Sequence, residues 1–468
     1  MQTQEQKYLI KKAIEQAKLQ GMLKYLPNGE LTHAPFSLSP YVMTESVFEE
    51  MAELTGPFSE LMIRVSRNTD FLKHHLEPIA KIDPFLKMLM DCRSSEINQN
   101  CQLLLQRNDF FVANLKHNNE NQNTHPENEM TKDSFLRQVE LNTISASFPF
   151  LITKLYQLHK NLFEQNKLPE VIKNNPLDAV VDVFAHAIQK YGISDSIMLM
   201  VVQPDEKNIF DQIGLEQHLW IKHNIATVRK TLVEIHKDGK LRQGHLVVDE
   251  KTVALTYYRA GYTPEDFPED DAFRGRQLIE ASSTIQVPDM GMQLSGMKKI
   301  QQVLTKKEVL ANFVSEEISG RFLKTFAKMH TLDEIINTPE GEFTASKWLS
   351  CHADDYVLKP QREGGGNNYF GSDILNLIPT IKKEEQKAYI MMEKIKAVPH
   401  SSIQIVNGNA ETLNCVSEVG RFGVCFAENG KIKNNLDAGY LVRTKALNVN
   451  EGGVSAGFAC LNTIKCFD

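Results

Sequence analysis

The stretch VLKPQREGGGNNYFG, from Val357 to Gly371, constrains the fold more than any other part of the chain. An apolar, strand-like run stops at Lys359-Pro360. Glu363 follows, and then Gly364, Gly365 and Gly366 come in succession before Asn367 and Asn368. Each glycine costs roughly 1 kcal/mol of chain entropy relative to alanine, so three together at a strand end must serve something a stiffer loop does not. No GK[ST] follows, as a P-loop requires, and no GxGxxG is present, as a Rossmann turn requires.

The neighbours of the glycines point to a phosphate lid. Lys359 closes the strand, so its ammonium emerges at a fixed point, and Arg362, Glu363, Asn367 and Asn368 bracket the glycines. Backbone N–H groups exposed by glycines cradle phosphate oxygens. A carboxylate beside them suits Mg²⁺, a hard ion that takes oxygen ligands. A mobile loop closes over a nucleotide and excludes water. The loop alone also leaves a plain flexible linker open.

The rest of the composition narrows the class. A chain of 468 residues accommodates two or three domains. A net charge of -7 argues against nucleic acid as the main partner. The seven cysteines, at 92, 101, 351, 415, 425, 460 and 466, form no CxxC pair, which fits a reducing, cytoplasmic compartment rather than a disulfide framework. The N-terminus has no long apolar segment and reads as an exposed amphipathic helix with Leu9, Ile10, Ala13, Ile14 and Ala17 on one stripe. The longest aliphatic run, Ile197 to Val202, is too short to span a bilayer.

Helical periodicity dominates to about residue 115, and an Asn-rich polar insertion is expected over 117–133. A half-buried strand follows in FLRQVELN. A compact α/β subdomain is expected from about 196 to 297, with strands at LVVD (246–249) and TVALTYYRAGY (252–262). Helix returns at KKIQQVLTKKEVLANFV. The segments YVLKP, AYIMMEKI and CVSEVGRFGVCFAENGKI read as strands of one sheet.

Three further stretches carry chemistry. VELN places Glu140 and Asn142 two apart on a strand, hence on one face, and both offer oxygen ligands; a solvated strand face is the alternative. Ser145 and Ser147 repeat that spacing, with hydroxyls suited to a carboxylate. RTKALNVNEGGVSAG puts Arg443 and Lys445 on one face ahead of Glu451 and two glycines, a second anion site. Arg107, Arg259 and Arg443, at strand-like ends beside Gly, Asn or Tyr, suit bidentate carboxylate clamps. The same region spells GVSAG, with Ser455 as a serine-hydrolase nucleophile would stand. That elbow needs a later histidine, and none occurs after His400. No HExxH occurs, and His74-His75 is expected to be exposed.

VLKPQREGGGNN, VELNTISASF, MEKI, RTKA and GGVSAG, with KNIFDQ, YYRAGY, QLSGMKK and SEVGRFGV, closely resemble the eukaryotic glutathione synthetases of the ATP-grasp superfamily over roughly residues 100 to 460. The resemblance implies an α/β (α+β) ATP-grasp fold with antiparallel sheets, a mobile Gly-rich lid and an inserted α/β substrate-binding subdomain. It implies a split into 1–195, 196–297 and 298–468. It also implies a homodimer, with no nucleic-acid or membrane partner, that joins γ-glutamylcysteine to glycine with ATP and Mg²⁺. Another acceptor amino acid, as in homoglutathione-type enzymes, is the alternative.

By position, the resemblance implies Glu140, Asn142 and Glu363 as Mg²⁺ ligands. ATP contacts would come from Lys298, Lys359, Pro360, Gln361, Arg362, the loop 364–368 and Phe370. Met392, Glu393, Lys394 and Ile395 would form the adenine hinge, with Glu418, Lys445 and Glu451 completing the nucleotide site. γ-Glutamylcysteine would meet Arg107, Ile144, Ser145, Ala146, Ser147, Glu206, Lys207, Asn208, Gln212, Arg259, Ala260, Gly261 and Tyr262, while Arg443, Val454 and Ser455 would border the glycine site. Arg107, Lys359, Glu363 and Arg443 would be the catalytic set. The chain departs from the family pattern at Phe370 (often Tyr), Lys207 (often Arg), Glu451 (often Asp) and Ser455 (usually Ala).

Overall fold

The computed structural model describes residues 4–93, 100–114, 130, 134–363 and 366–467. The expected insertion over 117–133 lies outside the described residues except for Met130, and so do Gly364 and Gly365.

A seven-stranded sheet is the largest element. Its order is His400–Val406, Phe36–Ser37, Cys460–Asn462, Lys431–Ala446, Asn409–Glu428, Cys101–Asn114, Ser134–Asn142. The long central pair is antiparallel and turns at Asn429-Gly430, where φ is 50° and 76°. Asn407-Gly408, with φ of 49° and 81°, turns His400–Val406 into the same pair. Asn-Gly is the favoured two-residue hairpin turn because both positions need positive φ.

Both faces of this sheet are covered. Leu103, Leu105, Val424 and Phe426 face helices Pro149–Gln165 and Pro176–Tyr191, while Leu104, Cys425 and Ala427 face helix Glu45–Arg67. That helix buries Val47, Met51, Leu54, Phe58, Leu61, Met62 and Val65 at helical spacing, and Phe58 stacks on Phe322 at 3.9 Å. The N-terminal helix Gln4–Leu19 buries Ile10, Ala13 and Ala17 in the first of these clusters, so its stripe is packed.

A four-stranded antiparallel sheet, in the order Met329–Thr331, Ile390–Glu393, Tyr356–Lys359, Tyr369–Phe370, faces the large one. A third sheet contains Thr227–Lys230, Ile197–Val201, Lys251–Tyr258, His245–Val248 and Lys240–Arg242, with Ile285–Val287 also on Lys251–Tyr258. Among the described residues no helix is long and apolar enough to cross a membrane.

Three sequence expectations are corrected. The strands at 356–359 and 390–393 belong to the small sheet, whereas 409–428 belongs to the large one, so they do not form one sheet. The region before 115 is not wholly helical: Leu23–Tyr25, Leu31–His33, Phe36–Ser37, Tyr41–Thr44 and Cys101–Asn114 are strands. Cys101–Asn114 is buried on both faces and so lacks the alternation that marks a half-exposed strand. Of the histidine pair, His74 is exposed and His75 is half-buried.

Candidate active site

A cleft of 680 Å³ lies between the large and small sheets. The large sheet supplies Arg107, Glu140, Asn142, Glu418, Arg443 and Lys445. The small sheet and the segments after it supply Lys359, Phe370 and Met392–Ile395, and Glu363 follows Lys359. Loops complete the wall with Ile144, Ser145, Ser147 and Tyr262, and with Glu451, Val454 and Ser455.

Strand register explains the polar floor. Arg107 is opposite Asn142, Asp109 opposite Glu140, and Glu418 opposite Arg443. Arg107 lies mid-strand rather than at a strand end, Arg443 falls near the end of Lys431–Ala446, and Arg259 directly follows Lys251–Tyr258 as expected. The common partner of Arg107 and Arg443 is Asp109, which is fully buried. Arg107 Nε and Nη2 donate to its two oxygens at 2.7 and 2.8 Å, Arg443 Nη2 donates at 2.9 Å, and Asn142 Nδ2 donates at 2.9 Å. Arg443 also pairs with Glu418. Burial raises the pKa of Glu418 and Arg443 counteracts it. Asp109 was missed in the sequence. The i, i+2 pair Arg107/Asp109 is its only sequence signal, since the strand puts both on one face.

A second knot gathers the residues expected at the phosphates. Lys298 Nζ donates to Glu140 Oε2 at 2.9 Å and to Glu363 Oε2 at 3.2 Å. Lys359 Nζ donates to the Val139 carbonyl at 3.0 Å. Burial works against ionised Glu140, but Lys298 and Lys359 outweigh it and hold the carboxyl well below the usual range. Burial pushes Glu363 up to about 7, with Lys298 pulling it down. Glu363 Oε1 is buried without a partner among the described residues. Gly366 N donates to Glu451 Oε2 at 3.0 Å, joining the glycine stretch to the 443–457 loop.

A family model for the eukaryotic glutathione synthase ATP binding domain matches residues 3–465. The chain belongs to the eukaryotic glutathione synthase family. That places it among ATP-dependent ligases. The chloroplastic glutathione synthetase of Solanum lycopersicum is 35% identical over 463 residues, which cover 94% of this chain and 79% of that protein. The Homo sapiens glutathione synthetase is 31% identical over 472 residues, 97% of this chain and 95% of that one. A glutathione synthetase-like effector from Globodera pallida, solved in its apo form, superposes with a TM-score of 0.75 over 100% of this chain and 98% of that chain; at 18% identity this shows a shared fold.

Not all the residues expected from the glutathione synthetase pattern reach the cleft. Pro360, Gln361, Arg362, Gly366 and Asn367 line a separate 470 Å³ cavity, and Asn368 touches both. Lys298 lies behind Glu140 and Glu363. Ala146 and Ala260 are buried, and Lys207 is exposed. Gly261, at φ 98°, donates its N–H to Asp266 Oδ2 at 2.8 Å.

Glu206, Asn208, Gln212 and Arg259 form a knot beside Ser145. Glu206 accepts from Asn208 N at 2.7 Å and from Gln212 Nε2 at 2.5 Å, and Ser145 Oγ donates to the Arg259 carbonyl at 3.4 Å. The organiser is Asp211, also missed in the sequence. Fully buried, it accepts from Arg259 Nη1 at 3.1 Å, Phe148 N at 2.8 Å and Phe150 N at 3.0 Å. Arg259 Nε, Asn208 Nδ2 and Gln212 Oε1 are buried without partners among the described residues.

Proposed function

We propose that this cleft ligates the cysteinyl carboxylate of γ-glutamylcysteine to the amine of glycine, with ATP and Mg²⁺ as the activating pair. A carboxylate is a poor electrophile, so ATP converts it to an acyl phosphate, which the glycine amine attacks as phosphate leaves. Each step is phosphoryl or acyl transfer between bound substrates, so positioning and charge neutralisation supply the rate and no protein nucleophile is needed.

One observation carries the reading. A single cavity gathers Glu140, Glu363 and Lys359, with Lys298 bonded to both carboxylates, beside Arg107 and Arg443, which share Asp109. Phosphates fit at Lys359, with Lys298 setting the charge of the two carboxylates from behind, and the adenine fits along Met392–Ile395 against Phe370. Ser145, Ser147 and Tyr262 in the cleft wall suit the amino-acid end of γ-glutamylcysteine, with the buried, unpartnered atoms of Arg259, Asn208 and Gln212 in the knot beside them. Arg443, Val454 and Ser455 suit the acceptor.

The residues present fit a magnesium ion. Glu140, Asn142 and Glu363 offer oxygen donors to one cleft, and Glu363 Oε1 is buried without a partner. Mg²⁺ takes one or two carboxylates and completes its shell with substrate phosphates and water. Bound there, it would neutralise charge on the transferring phosphoryl group.

A homodimer and a cytoplasmic location complete the proposal. All seven cysteines are free thiols, which suits a reducing compartment. Coupled ADP release with each substrate omitted in turn tests the activity, and sedimentation tests the dimer.

A further inference from the structure

Arg362 and Glu363 are adjacent in sequence yet line different cavities, Glu363 the 680 Å³ cleft and Arg362 the 470 Å³ cavity behind it. What holds Arg362 back is Asp83. Arg362 Nη1 donates to Asp83 Oδ2 at 2.5 Å and to the Gln361 carbonyl at 2.7 Å, and its guanidinium lies 5.6 Å from the centre of the Phe85 ring. Gln361 is pinned as well: its Oε1 accepts from Lys299 N and its Nε2 donates to the Ala388 carbonyl, both at 3.0 Å.

Asp83 is itself fixed. It caps helix Pro84–Cys92, with Oδ1 accepting from Phe85 N at 3.0 Å and Leu86 N at 3.1 Å. That helix buries Phe85, Leu86, Leu89 and Cys92. One carboxylate thus divides its oxygens between a packed helix and the root of the glycine stretch. An ion pair at an exposed site contributes little, but here the side chains are 26% and 9% exposed and the pair sits one residue from a carboxylate aimed into the cleft.

We propose that Asp83 is a positioning residue for the ligase: through Arg362 it fixes the strand exit so that Glu363 is presented to Mg·ATP. This deepens the function proposed above and rests on it. A misplacement of about 1 Å at a reacting centre costs about a hundredfold, so even a partial release of the anchor is measurable.

Asp83→Asn separates anchor from cap, because the amide oxygen still accepts from Phe85 N and Leu86 N while the amide nitrogen faces Arg362. The expected result is about a tenfold weaker Kd for Mg²⁺ with a non-hydrolysable ATP analogue by calorimetry. A matching rise is expected in the KM for ATP, with KM for γ-glutamylcysteine and glycine within about twofold and an unchanged melting temperature. Arg362→Met should do the same, and the double variant should be no worse than either single, because one pair is broken in all three. Arg362→Lys should recover part of the affinity. Unchanged nucleotide affinity in both single variants, or losses that add in the double variant, would overturn the inference. Wild-type protein that binds the analogue but makes no product from γ-glutamylcysteine and glycine would instead contradict the proposed function alone.

Discussion

Lys298 and Glu140 stand 158 residues apart in sequence and meet at 2.9 Å, Nζ to Oε2. The same ammonium reaches Glu363, so one cation holds two carboxylates that otherwise repel each other at the cleft. The two carboxylates raise the ammonium's pKa against the opposing effect of burial, so Lys298 stays charged at neutral pH.

Lys298→Met should therefore damage both fold and function. Removing one partner of a buried pair costs about 3–5 kcal/mol, and the two acids lose their common counter-ion. The expected outcome is a lower denaturation midpoint and a KM for ATP raised at least about tenfold. A stable variant with an unchanged KM for ATP would contradict this role.

Glu363→Gln should spare stability and remove activity. Burial already pushes the carboxyl up to about 7, so a neutral amide of similar shape is tolerated there. Loss of the proposed Mg²⁺ ligand would remove charge neutralisation from phosphoryl transfer, a loss of several kcal/mol in the barrier. Turnover at saturating Mg²⁺ should fall at least about a hundredfold while the melting temperature holds.

On the proposed reading, Ser455 borders the acceptor. It is exposed at the cleft wall beside buried Val454, where the family pattern usually has alanine. Serine adds only a hydroxyl, so glycine should remain preferred. One methylene in a fitted pocket corresponds to about 1–3 kcal/mol, or roughly 10–200-fold. The ratio of kcat/KM for glycine to that for β-alanine or serine measures it. Parity would support another acceptor, and Ser455→Ala should then restore the preference for glycine.

His159 should make the fold acid-sensitive. It is buried on helix Pro149–Gln165, shares a 2.7 Å hydrogen bond from Nδ1 with Thr463 Oγ1, and leaves Nε2 without a partner among the described residues. Burial lowers its pKa to about 3. The unfolded chain therefore binds a proton below about 6.5 that the folded chain refuses, and stability falls as pH drops from 6.5 toward 3. The slope from this group is about 1.4 kcal/mol per pH unit. Urea midpoints at pH 7 and pH 5 should differ less in His159→Gln than in wild type.

The motifs that are local were legible in the sequence. VELN gave the shared face of Glu140 and Asn142, and the strand-to-glycine transition placed Lys359 and Glu363 at one site, because strand period and loop composition are short-range properties. Asp109 and Asp211 were not legible. Each earns its role by accepting from groups far along the chain: Asp109 from Arg443, and Asp211 from Phe148 and Arg259. The partner of Arg362 was not legible either, for the opposite reason: its neighbours suggest phosphate, and the contact it makes is with a helix cap 279 residues away. The single sheet expected from three strand-like segments failed because strand pattern fixes burial but not which partner is found.

The central claim is that this chain activates the carboxylate of γ-glutamylcysteine with ATP for attack by glycine. The most direct measurement is ADP release by the wild-type protein with γ-glutamylcysteine, with and without glycine, alongside chromatographic detection of glutathione. The account predicts steady ADP release and one glutathione per ADP only when both substrates are present. Rapid ATP turnover that ignores both substrates, or none with both, would contradict it.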